Sequence, residues 1–146
     1  MHVDGACHCR NVEYEAEVNP AHVVMCHCTD CQTLSGTAFR VVVATTAGSF
    51  RLIKGELTTY VKIGESGNPR EQTFCGACGS PVYSAPPGPQ PKVVSLRIGT
   101  VRQRAQLIPS DQYWHRSALP WIPHLAEIRE TATQPAFDTS GRFVPD

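Results

Sequence analysis

The chain has 146 residues, 41% of them apolar, and its 13 Lys or Arg balance 13 Asp or Glu at a formal net charge of zero. That length suits one domain over 1–146, with a motif-bearing part from about 5 to 122 and a tail over 123–146. Balanced charge leaves no field to draw in nucleic acid or an anionic membrane, and no stretch approaches the length that spans a bilayer. The opening MHVDGACHCR carries neither a basic leader nor an apolar segment of signal-peptide length, so a soluble cytoplasmic protein is expected.

Along the chain, residues 11–18 alternate Val12, Tyr14, Ala16 and Val18 with Glu13, Glu15 and Glu17, the period of a half-buried strand. Further strands are predicted over 22–25, 38–45, 49–53, 57–61, 72–74, 81–84 and 92–98, where Val, Thr, Ile and aromatics lie between Gly or polar turns. Thr29 is followed three residues later by Gln32, the spacing of a capping box, and Gly36 can end the turn. A short helix is therefore predicted to start within CHCTDC. Residues 64–70 (GESGNPR) and 85–91 (APPGPQP) read as surface loops, the prolines of the second being unable to donate to a sheet. HLAEIRETATQ, 124–134, reads as a weak helix without assigned function. The expected class is mainly β, antiparallel sheets with short helical turns.

Seven cysteines cannot all pair within one chain, and each lies in a C-x-C or C-x-x-C cluster, which favours metal over disulfides. Cys75 and Cys78, in CGACG, stand at i and i+3 with glycines that permit a tight turn. Cys7 and Cys9 stand at i and i+2, which in an extended segment puts both thiols on one face. Two and two close a tetrahedron, a structural zinc site joining distant segments. Cys26, Cys28 and Cys31 remain, three thiols at a helix start with no fourth cysteine. His27 or Asp30 could complete the set. His27 would point away from its neighbours in an extended segment, and Asp30 suits a first helical turn without any metal, so both are expected beside the site. An open fourth position is the arrangement of catalytic zinc, whereas a closed one would make a second structural site. His2, His22, His115 and His124 have no ligand spacing and are expected at the surface or in packing.

The order G-x-C-x-C (Gly5, Cys7, Cys9), C-H-C-x-x-C (Cys26 to Cys31) with Ser35 and Gly36 four residues on, and F-C-x-x-C-G (Phe74 to Gly79) resembles the glutathione-dependent formaldehyde-activating enzyme family, which also includes centromere protein V. Trp114-His115-Arg116-Ser117-Ala118-Leu119-Pro120-Trp121 extends the resemblance to about residue 122. The resemblance implies a zinc-binding β-tent like that of Rab-exchange-factor-like proteins. It also implies two zinc ions per chain, structural on Cys7, Cys9, Cys75 and Cys78 and catalytic on Cys26, Cys28 and Cys31. The implied activity is that of a carbon-sulfur lyase that joins glutathione or a similar small thiol to formaldehyde. Candidate substrate contacts are Ser35, Gly36, Arg40, Trp114 and Trp121, the tryptophans serving core packing by default, with Arg116 a second cation for the carboxylates of glutathione. The competing reading is a non-catalytic zinc module for a protein partner. A zinc-ribbon nucleic-acid binder is disfavoured, because Arg102 and Arg104 make no basic run.

Overall fold

The structure, a computed structural model, describes residues 1–144. Its strands are β1 (His2–Ala6), β2 (Glu13–Cys26), β3 (Arg40–Thr45), β4 (Arg51–Lys54), β5 (Thr58–Ile63), β6 (Pro69–Phe74), β7 (Pro81–Ala85), β8 (Ser95–Arg97) and β9 (Asp111–Tyr113). The helix α1 (Thr29–Ser35) lies between β2 and β3. The two strands expected over 11–18 and 22–25 are one 14-residue strand, β2, whose register slips between Val18 and Val23. That irregularity lets β2 serve two sheets: its first half pairs with β1 and β4, its second half with β3 and β9. The hydrogen-bonded order runs β1-β2-β3-β8-β7-β6-β5. Pairing is antiparallel, as expected, except that β9 lies parallel to β2.

The apolar face recognised in β2 builds the core. Val12, Tyr14, Ala16 and Val18 pack with Val3, Val23, Val43, Val82, Val94, Leu96 and Val101. Tyr14 reaches through this core to share a hydrogen bond with the Thr100 hydroxyl at 2.8 Å. Gly5 lies directly over that contact. A Cβ there would run into the Tyr14 ring and the Thr100 carbonyl, so the glycine of G-x-C-x-C is required by close approach.

Several expectations are corrected. β1 and β9 lack the long alternating pattern that marks a strand in sequence, and both form by pairing with β2. β6 begins at Pro69, inside the expected loop 64–70, because the first residue of a strand can lack a donor. The strand expected over 92–98 shortens to Ser95–Arg97, and a 3-10 turn over Ile98–Thr100 follows. In place of a helix over 124–134 there is a 3-10 turn, Ile122–Glu127. The capping box does not form either. Cys28, not Thr29, is the N-cap of α1, its sulfur accepting the Cys31 N–H at 3.3 Å. The Gln32 amide donates to the carbonyls of His27 at 2.8 Å and Ser117 at 2.9 Å, tying α1 to the 3-10 turn His115–Ser117. Gly36 ends the helix at φ 66, as predicted.

Candidate metal centres and the cleft beside them

Cys7 and Cys9 lie not in the expected extended segment but in the turn from β1 to β2. There Arg10 takes a positive φ of 60, and its N–H donates to the Cys7 carbonyl at 3.1 Å. The turn brings the two sulfurs to 3.5 Å. Cys75 and Cys78 occupy the turn from β6 to β7, closed by Gly79 N–H donating to the Cys75 carbonyl at 2.8 Å, with Gly79 at φ 74. Cys9 and Cys75 sulfurs are 3.8 Å apart, and all four sulfurs lie within 4.8 Å of one another. Zinc–sulfur bonds of about 2.3 Å give a tetrahedron with edges of about 3.8 Å, so the set fits a closed four-thiolate ion. Val12 N–H donates to the Cys7 sulfur at 3.3 Å, and the Ser80 hydroxyl lies 3.2 Å from the Cys78 sulfur. Such donors offset the negative charge that four thiolates carry around one divalent ion.

The second set comes from one short segment. Cys26 ends β2, Cys28 caps α1 and Cys31 lies in its first turn, and their sulfurs again fall within 4.8 Å of one another. Crowded thiols cannot all ionise side by side. The hydrogen bond from Cys31 holds Cys26 down at about 5, while the same contact, followed by burial, pushes Cys31 far above the usual thiol range. A bound cation would relieve that competition. Among the described residues no fourth Cys, His, Asp or Glu joins the three. The His27 ring is fully buried, with Nε2 2.8 Å from Gln112 Oε1 and edge-to-face contacts with Phe39 and His115. Asp30 pairs with Lys62 of β5.

Strand register explains what surrounds these three thiols. Cys26 pairs with Arg40, Val42 with Arg97, Ser95 with Ser84, Ser84 with Gln72, and Arg70 with Lys62, so these residues share one face of the sheet. The opposite face carries Val23, Val43 and Leu96 into the core. The first face floors a half-open cleft of about 350 Å³, with Cys26, Cys28 and Cys31 in its wall and Leu34, Tyr113 and Trp114 around it. None of Cys7, Cys9, Cys75 and Cys78 lines it. Arg40 Nη1 and Arg97 Nη2 both donate to Gln72 Oε1, at 3.1 and 2.8 Å, and Arg70 Nη2 approaches the Ser84 hydroxyl at 3.5 Å. Burial, then the neighbouring Arg40, pulls Arg97 down to about 9, with Arg70 adding to the repulsion. Burial likewise lowers Arg40, against the opposing pull of Cys31, Cys28 and Cys26.

Of the substrate contacts expected from sequence, Arg40 and Trp114 line this cleft. Ser35 and Gly36 lie at the far end of α1, where the Ser35 hydroxyl faces the carbonyls of Gln32 and Phe39 at 3.4 Å. Trp121 is not a lining residue. Neither tryptophan is a core residue: Trp114 is 41% and Trp121 44% exposed. Arg116 stacks over Trp114 and pairs with Glu65 at 2.9 Å. Sequence reasoning missed Arg70, Gln72, Arg97 and His22, which also line the cleft. The local hint was Arg97, a charged residue between Leu96 and Ile98 in an otherwise apolar run.

No curated protein gives a significant match to the sequence. A solved structure described as a Rhodobacter sphaeroides protein superposes with a TM-score of 0.57 at 21% identity, covering 75% of this chain and 98% of the other, a likeness of fold. The family model described as glutathione-dependent formaldehyde-activating enzyme matches residues 2–117, which takes in both cysteine sets and the strands that floor the cleft. The chain belongs to the glutathione-dependent formaldehyde-activating enzyme family.

Proposed function

We propose that the chain is a zinc-dependent enzyme of the carbon-sulfur lyase type, joining a small thiol such as glutathione to an aldehyde, with two zinc ions per chain. Cys7, Cys9, Cys75 and Cys78 would hold the structural ion, and Cys26, Cys28 and Cys31 the ion at which chemistry occurs. The observation that carries this reading is the contrast between the sets: four sulfurs that close on themselves, and three in the wall of a cleft. A zinc ion on the three thiolates would supply a positive centre that keeps a fourth, incoming thiol deprotonated at neutral pH.

The chain's own residues would do the rest. The start of α1 and the Cys31 N–H hold the thiolate cap of Cys28 in place. Val24, Val42 and Leu34 give the cleft apolar walls that limit water around the reacting atoms. Holding thiol and aldehyde together turns a bimolecular addition into a local one. The addition makes a hydroxyl from the carbonyl oxygen, and its proton balances the one that the thiol releases on deprotonation. A partner-docking zinc module would need no open cleft beside its thiols, which favours the enzyme over that alternative.

Cobalt substitution tests the reading. Glutathione is expected to alter the sulfur-to-metal absorption in the wild type, and exchange NMR is expected to show faster formation of S-hydroxymethylglutathione from formaldehyde. An unaltered spectrum together with an uncatalysed rate would remove the enzyme reading.

A further inference from the structure

Arg40 and Arg97 are 6% and 7% exposed, yet among the described residues neither they nor Arg70 has an acidic partner. Among the described residues, no Asp or Glu lines the cleft they floor. Their hydrogen bonds go to one neutral amide oxygen and one hydroxyl, and Arg97 Nε is buried without any partner among the described residues. Burying guanidinium groups without a counter-charge is costly, and apolar residues at the same positions would serve the sheet better. Three separate strands, β3, β6 and β8, each turn a cation to the same side. Part of that charge faces the thiols. A zinc ion on three thiolates carries about one net negative charge, so three guanidiniums leave an excess of about two positive charges. A bound thiolate and one carboxylate would neutralise that excess, whereas a neutral thiol with formaldehyde would not.

We infer that the cleft recognises a carboxylate through Arg40 and Arg97, so that one of the two reactants is a small carboxylate-bearing molecule, either the thiol or an oxo acid with an aldehyde group. The assignment of reactants rests on the thiol-aldehyde reading above; the anion site rests on the arginines. A cleft of about 350 Å³ suits such small ligands. Arg40 and Arg97 both line the cleft, and a carboxylate accepting from their guanidinium N–H groups would make the charge-assisted pairing in which arginine binds most strongly.

The test compares matched ligands on the full cobalt-loaded chain: mercaptoacetate against mercaptoacetamide, and glyoxylate against acetaldehyde. Binding is read by calorimetry and Trp114 fluorescence, and thiol coordination by cobalt absorption. In one or both pairs the anion is expected to bind at least about tenfold tighter than its neutral analogue. Arg97→Gln and Arg40→Lys are each expected to shrink that preference to about threefold or less while neutral-ligand binding persists. The pair that discriminates identifies the reactant carrying the carboxylate. Equal binding within both wild-type pairs would overturn the inference and leave the arginines as balance for the thiolates, whatever the variants do. An anion preference that both variants retain would also overturn it. If neither thiol changes the cobalt spectrum but glyoxylate binds in an Arg97-dependent way, the thiol reading fails and the carboxylate site stands.

Discussion

Tyr14 heads the side chains that the fold buries completely, and among the described residues its hydroxyl has a side-chain partner only in Thr100. Burial pushes the phenol from 10.0 up to about 12; the Thr100 hydrogen bond pulls the other way, and the charge of Asp4 adds to the rise. The folded state thus keeps a proton that the unfolded chain releases first. Its contribution to stability is complete below pH 10 and is lost as the pH climbs toward 12. Unfolding free energies measured by urea titration across that window should fall, by up to about 3 kcal/mol for this group, and Tyr14→Phe should show a flatter decline. Equal slopes for the two proteins would mean that other groups govern the alkaline limb.

The seven-residue helix α1 is too short to stand alone, so its ends and contacts define it. Cys28 has two tasks there, cap and proposed ligand. Serine keeps the first, because its hydroxyl caps as well as the sulfur does, and is a poor zinc ligand. Cys28→Ser is accordingly expected to lose one zinc per chain while the circular dichroism spectrum stays that of the folded protein and the Tm moves by only a few degrees. The three thiols span six residues and close only a small loop, so their metal adds little to global stability. Complete unfolding of the variant would show that the two metal sites do not have separate roles.

Across the whole molecule, the four-sulfur set joins the turn after β1 to the turn after β6. Cys9 and Cys75, 66 positions apart, meet at 3.8 Å, and His8 N–H donates to the Ser80 hydroxyl at 3.0 Å beside them. A metal there closes a long loop, and its binding free energy becomes folding free energy. Cys75→Ser is expected to lose that ion and several kcal/mol of stability, on the order of 3 or more, seen as a large drop in urea midpoint alongside metal analysis. An unchanged midpoint with both zinc ions retained would disprove the cross-link.

The division of seven cysteines into four and three was legible in the sequence because ligand spacing is local: i, i+2 and i, i+3 pairs keep their meaning wherever the segment ends up. Local patterning also marked the apolar face of 11–18, the glycine that ends α1, and most of the strands. Other features were decided between segments. The sulfurs of Cys7 and Cys9 meet through a turn instead of a strand face, and β9 exists only because β2 offers it an edge. The cleft itself depends on register. Arg40, Arg70, Gln72 and Arg97 are spread over three strands, and each strand's alternation says that its residues share a side without saying which side faces the thiols. Only the pairing of Cys26 with Arg40, and of each following strand in turn, puts the cations beneath the three cysteines, because side-chain direction is set within a strand and its meaning by the neighbours.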